Sequence, residues 1–120
     1  MLTPFEMMKL AVKTLDSKKA QDIKVLKTDE VTILADYFII CTANSTTQIK
    51  TLADEVAHYL EVEGEMPLRT EGQRAGGWVL VDFGAIVVHI FLKEAREFYN
   101  LERLWSDAAS VDISEFIIEE

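Results

Sequence analysis

Chemistry in this chain, if it has any, centres on His89. The residue sits in an apolar run behind Asp82, and Asp36, in the first half of the chain, is a further carboxylate. An imidazole held by a carboxylate is a general base, and the three groups together could collect one divalent ion. The competing reading is a core histidine with one satisfied hydrogen bond. Residue type alone does not identify a catalyst; placement and pKa do. No serine or cysteine nucleophile is evidently placed beside it, and the core reading is the simpler of the two.

Other fragments of active-site motifs resolve in the same way. Glu71-Gly72-Gln73-Arg74-Ala75-Gly76-Gly77 resembles a phosphate loop but lacks the closing Lys-Ser/Thr and leads into a strand rather than a helix. It reads as a hairpin turn using glycine for positive φ. Asp82-Phe83-Gly84 spells the metal-binding triplet of protein kinases, yet Asp and Gly are favoured in any tight turn for backbone reasons. Ser45-Thr46-Thr47 could bind an anion through free helix-start amides, but as capping residues they need no ligand. The chain has one cysteine and two histidines, His58 and His89. An internal disulfide is excluded, and no His/Cys metal cluster is available. Cys41, in a run of apolar residues, reads as a small core side chain.

Elements must position these residues. Thr3 can cap a helix with Pro4 at its first position and Glu6 closing a capping box. Phe5, Met8, Val12 and Leu15 recur at helical spacing beside Ala11. The helix should fade at residues 17–19, where Lys18 and Lys19 suit a C-terminus. Residues 22–27 alternate as a strand, with Ile23 and Val25 on one face. Residues 28–36 form a connection with an apolar patch at 31–34. Residues 37–42 are continuously apolar and β-branched or aromatic, as in a central strand covered on both faces.

Ser45 and Gln48 have capping-box spacing ahead of a broad stripe of Ile49, Leu52, Ala53, Val56, Ala57 and Leu60, which Gly64 is placed to stop. Residues 66–70 suit a short edge strand, where Pro67 removes no ladder bond. Two more strands flank Asp82-Phe83-Gly84. By their period Val79 and Val81 point one way, Trp78, Leu80 and Asp82 the other; His89 shares a face with Val87 and Phe91. A third helix is expected over 94–105, and residues 106–120 read as an acidic tail with an apolar patch, Phe116-Ile117-Ile118, that the pattern does not place. The order is helix, two strands, helix, two or three strands, helix: an α/β sheet with helices packed on it.

Composition limits the partners. At 120 residues the chain is one domain with a real core. Its net charge of −9 and lack of a Lys/Arg cluster argue against a direct grip on nucleic acid and favour a basic protein partner, unless the charge serves only solubility. No run approaches the ~18 apolar residues of a membrane span, and no signal-peptide or transit pattern opens the chain. A cytoplasmic protein is the default. Aromatics are the surplus: Trp78, Tyr99, Leu104 and Trp105 cannot all face one small core. Trp and Tyr are enriched at the energetic centres of interfaces, so this set reads as a docking surface; the plainer alternative is that Trp105 closes the end of the core.

The same residues carry a family resemblance. Asp36-Tyr37-Phe38-Ile39-Ile40-Cys41-Thr42, then Ser45, then Ala53-Asp54-Glu55-Val56, resemble the first signature of the ribosomal silencing factor (Iojap-like) family. Glu71-Gly72, Trp78, Val81-Asp82-Phe83-Gly84, Val88-His89 and Tyr99-Asn100-Leu101-Glu102-Arg103-Leu104-Trp105 resemble its second. The match runs from Phe5 to Ser106, which divides the chain into a family domain at 1–106 and the acidic tail at 107–120. Two features depart from the family: Ala43-Asn44 stands where a Gly usually precedes a small polar run, and the tail is longer than in many members.

The resemblance implies a mixed sheet of about five strands flanked by helices, similar to nucleotidyltransferases but without their catalytic carboxylate pair. It implies no cofactor and no metal. It implies a translational repressor that binds the large ribosomal subunit through that subunit's ribosomal protein fourteen, blocks joining of the small subunit, and lowers translation when nutrients are scarce. Carried over position by position, the implied docking residues are Trp78, Asp82, His89, Tyr99, Leu101, Glu102 and Trp105, with Glu71 nearby. Little direct nucleic-acid contact is expected. Two further readings remain: a degenerate nucleotidyltransferase-type enzyme using Asp36, Asp82 and His89 around a divalent ion, and a homodimer of the free protein whose exposed aromatics meet each other.

Overall fold

Two helices cover one face of a mixed sheet, and a broken helix covers only part of the other. The computed structural model describes residues 2–72 and 77–117. Residues 73–76, the middle of the glycine-rich turn, lie outside the described residues, as does Ile118 of the apolar patch. In chain order the elements are α1 (Pro4–Ser17), β1 (Gln21–Lys27), β2 (Tyr37–Ala43), α2 (Thr46–Val62), β3 (Arg69–Glu71), β4 (Trp78–Asp82), β5 (Ile86–Leu92), α3 (Lys93–Tyr99), α4 (Leu101–Leu104) and β6 (Ala109–Ser110). A single 3₁₀ turn, Ser114–Phe116, follows. The strand order is β3-β4-β5-β2-β1-β6. Only β2 and β5 run parallel; every other pair in the sheet is antiparallel. The sheet has six strands among the described residues, one more than the sequence pattern suggests.

The extra strand is β6. It pairs with β1 through Leu26↔Ser110 and Lys27↔Ala109. Just beyond it Ile113 is buried in the core, and the Phe116 ring meets Phe5 of α1 edge-on at 6.0 Å. The segment after 106 is therefore packed on the sheet and on α1 as far as it is described.

The capping box at Thr3 and Glu6 forms, with Pro4 opening the helix. α1 buries Met7, Met8, Ala11, Val12 and Leu15. Phe5, expected on that stripe, is instead exposed at its edge, where Phe116 reaches it. Ser45 caps α2 by accepting from the Gln48 N–H, but the Gln48 side chain accepts from Asn44 rather than from the cap itself. α1 and α2 pack against each other and share one apolar layer with Ile39, Cys41, Val79, Val81, Val88 and Ile90. Each fully buried Val, Leu or Ile there contributes roughly 1.5–3 kcal/mol of transfer free energy. Burial also pushes the Cys41 thiol up to about 12, as expected for a core residue and not a nucleophile.

The strand periods divide the residues as the sequence implies. Val79 and Val81 join the helix-covered core, while Trp78, Leu80, Phe38, Ile40, Val87 and Phe91 face the second layer. What lies over that layer differs from expectation. The single helix over 94–105 is two: Asn100 takes a left-handed backbone (φ 47, ψ 58) and ends α3, and α4 restarts at Leu101. Asn tolerates this region better than other side-chain-bearing residues, so a break is possible where the aromatic pattern alone suggests continuity.

Candidate docking surface

The antiparallel register of β4 and β5 sets Trp78 opposite Phe91 and Leu80 opposite His89. All four side chains therefore stand on the thinly covered face, where α3 and α4 add Tyr99 and Trp105. The result is a continuous row of rings. Tyr99 lies 4.6 Å from Trp78 between centroids, Trp78 5.9 Å from His89, His89 5.1 Å from Phe38, and Phe38 5.3 Å from Trp105. Phe91 stacks on Trp78 at 5.0 Å and underlies the row. Tilted and edge-on pairs of this kind are worth about 0.5–1.5 kcal/mol each beyond their buried area.

The outer side of the row is open. Tyr99 is 49% exposed, Trp78, Leu80 and Trp105 are half-buried, and the neighbouring Phe98 and Leu104 are 80% and 71% exposed. A shallow cavity of about 390 Å³ opens beside Trp78, lined by Glu71, Gly72, Gly77, Leu80, Ala95 and Tyr99. Gly72 is required here: its φ is 88, and a Cβ would fall on the Trp78 carbonyl.

His89 is 5% exposed, inside the row. Its Nδ1 accepts a hydrogen bond from the Trp78 indole N–H at 3.2 Å, so in the neutral ring the proton resides on Nε2. Nε2 is buried without a hydrogen-bond partner among the described residues. Burial pulls the imidazole pKa down to about 4, against a smaller upward pull from the Asp82 carboxylate. Asp82 itself is engaged elsewhere. Its Oδ2 accepts from the Arg69 guanidinium at 3.0 Å and its Oδ1 from the Gly84 N–H at 2.8 Å, closing the tight turn expected of Asp82-Phe83-Gly84. Glu71 shares the same arginine.

Asp36 is remote. Its N–H bonds to Ala85 at the start of β2, while His89 pairs in register with Ile40. Four residues of strand, about 13 Å, separate them along the sheet. The base-and-orienter arrangement of His89 with Asp82 or Asp36 is thus not assembled. Among the described residues no three His, Cys, Asp or Glu side chains are grouped to hold a metal ion.

A sequence model of the family described as "Ribosomal silencing factor during starvation" matches residues 2–120. The chain belongs to the ribosomal silencing factor family. Among curated relatives, the ribosomal silencing factor RsfS of Bacillus subtilis is 41% identical over 106 residues, covering 88% of this chain and 90% of that protein. The protein of the same name from Halalkalibacterium halodurans is 40% identical over 108 residues, covering 90% and 92%. The chloroplastic protein Iojap of Zea mays is 35% identical over 95 residues, 79% of this chain and 41% of that longer protein. A crystal structure of a Chromobacterium violaceum protein superposes with a TM-score of 0.85 at 38% identity, covering 88% of each chain.

The eight positions singled out from this silencing-factor pattern separate into three groups. Trp78, Tyr99 and Trp105 share the aromatic row and present surface. Glu71 and Asp82 flank it as a carboxylate pair around Arg69. His89 and Leu101 are buried, unlike the surface position expected of contacts, and Glu102 is partly exposed but engaged by an arginine. His89 is enclosed by the rings, and Leu101, 8% exposed, packs beneath them. Glu102 accepts two hydrogen bonds from Arg96, each 3.1 Å long.

Arg96 is the residue that sequence reasoning missed. A buried arginine, it also donates to Thr42 Oγ1 and the Asp22 carbonyl, binding α3 and α4 to the sheet. Its position among charged neighbours in a helix pattern gives no sign of burial. Arg69 was missed as well; its cross-strand pairing with Asp82 becomes legible only once the β3–β4 register is known.

Proposed function

We propose that the protein silences ribosomes by steric exclusion and not by catalysis. It docks through the aromatic row onto the large ribosomal subunit, at ribosomal protein fourteen, and its bulk keeps the small subunit from joining. Translation falls accordingly under nutrient limitation. The observation that carries this reading is an open row of Trp78, Tyr99 and Trp105 on the sheet face that the helices leave thinly covered, in a chain of the ribosomal silencing factor family. Half-exposed tryptophan and tyrosine at the centre of a flat patch are what interface hot spots are made of. The acidic rim of Glu71 and Asp82 and the net charge of −9 suit a basic ribosomal protein better than RNA, and the cytoplasm is where such a factor would act. The enzymatic alternative draws on Asp36, Asp82 and His89, of which Asp36 lies about 13 Å from His89 along the sheet and Asp82 is engaged by Arg69.

The test is co-sedimentation with purified large subunits at moderate salt, followed by subunit joining with and without added protein. Binding and a reduced yield of joined ribosomes are expected. Trp78→Ala should weaken binding by about 2 kcal/mol or more, roughly thirtyfold. Failure of the folded wild type to bind would sink the proposal. Heat on titration with nucleotide and Mg²⁺ would revive the enzymatic reading, and a mass twice that of one chain, lost when the subunit is added, would show that free copies pair through the same rings.

A further inference from the structure

Among the described residues the Trp78 indole N–H donates its one hydrogen bond to His89, and that contact defines what the histidine does. Trp78 lies on the outer strand side of the row, with Phe91 stacked on one flank and Tyr99 tilted against it. Stacking restrains the plane of an indole but lets it turn within that plane. A hydrogen bond from Nε1 removes that remaining freedom. The acceptor is itself well fixed: His89 is in mid-strand on β5, buried, and wedged against Phe38 at 5.1 Å. A side chain so enclosed has no surface to offer a partner.

We propose that His89 is a positioning residue for docking, holding the Trp78 indole in its binding orientation through Nδ1 while making no contact with the partner. This rests on the docking role given above for the aromatic row. It also accounts for a polar side chain in an otherwise apolar layer. A docking surface whose anchor is already ordered loses less conformational freedom on binding. The neutral tautomer is required, because a proton on Nδ1 would oppose the indole N–H. Enclosure among rings keeps the ring neutral.

Three variants test it. His89→Phe fills the space with no acceptor. His89→Asn places an amide oxygen close to where Nδ1 was. Trp78→Phe removes the indole donor. On the free protein, nitrogen NMR of His89 should show Nδ1 bare and Nε2 protonated, and the Trp78 indole N–H should exchange faster with water in His89→Phe than in wild type. On purified large subunits, His89→Phe should bind about fivefold to tenfold more weakly, the size of one lost hydrogen bond, with His89→Asn recovering most of that loss. In the Trp78→Phe background, His89→Phe should cost nothing further.

Additive losses in the double variant would overturn the inference, since His89 would then act on the partner independently of Trp78. Indole exchange that is the same in wild type and His89→Phe would overturn it too, whether or not any subunit binds. Wild-type protein that fails to bind subunits, yet shows the expected tautomer and indole exchange, would instead count against the docking role alone. Should His89→Phe not fold, His89→Asn carries the test: an Asn variant that keeps the indole protected and binds near wild type supports the role, and one in which indole protection and binding change independently refutes it.

Discussion

A neutral histidine in the core makes the fold sensitive to mild acid. His89 titrates at about 4 in the folded chain, whereas an unperturbed imidazole titrates at 6.5. Between those values the unfolded chain takes up a proton that the folded one refuses. Stability is therefore complete above pH 6.5 and is lost progressively as the pH falls toward 4. From pH 7 to pH 5 the loss due to this one group should be about 2 kcal/mol. The nearest charge acting on the ring, Asp82, is held by Arg69 and opposes only part of the effect. Urea unfolding at pH 7, 6 and 5 measures it. His89→Phe should unfold with a flatter pH dependence than wild type over that range, because it lacks the imidazole whose folded-state pKa is pulled down. Equal slopes in the two proteins would show that His89 titrates normally and is not enclosed as described.

The break between α3 and α4 decides where the aromatic row ends. Asn100 donates its N–H to the Arg96 carbonyl and turns left-handed, so that Leu101 points into the second layer and Trp105 meets Phe38 edge-on. Asn100→Gly should leave stability within about 0.5 kcal/mol of wild type, whereas the β-branched Asn100→Val should cost about 1–2 kcal/mol. Thermal melts of both variants check this, and a Val variant as stable as Gly would mean the helix runs straight through.

The same junction shows how far elements can be read from a sequence. Strands β2, β4 and β5 were legible because alternation and continuous burial are local properties of the residues, and so was the capped start of α1. The break at Asn100 was not, because Leu101, Leu104 and Trp105 keep helical spacing across it. β6 was not legible either: two residues, Ala109 and Ser110, have no period, and only their pairing with Leu26 and Lys27 makes them a strand. In the site, Trp78, Tyr99 and Trp105 could be named from aromatic surplus and family pattern. The core reading of His89 was already the simpler one, and its burial with a hydrogen bond from Trp78 agrees with it; the burial of Leu101 needed the turn at Asn100.

At the scale of the whole molecule, charge and aromatic surface should act on different steps of binding. A net charge of −9 over 120 residues creates a long-range attraction for a basic partner, and that attraction speeds encounter. On the proposed docking role, the row from Tyr99 through Trp78 to Trp105 would act only at contact and so set how long the complex lasts. Salt separates the two. The screening length is about 10 Å at 0.1 M salt and about 3 Å at 1 M, which shortens the reach of the charge but leaves ring contacts intact. Raising salt from about 50 to 500 mM should lower the association rate with large subunits by tenfold or more while changing the dissociation rate by less than about threefold. Trp78→Ala should show the converse, with faster dissociation and near-normal association. Surface-immobilised subunits and real-time binding at each salt concentration give both rates. Association that is indifferent to salt would remove the acidic surface from recognition. Association that quickens with salt would mean that this charge faces another acidic surface, such as ribosomal RNA, and that the partner is not the basic protein proposed.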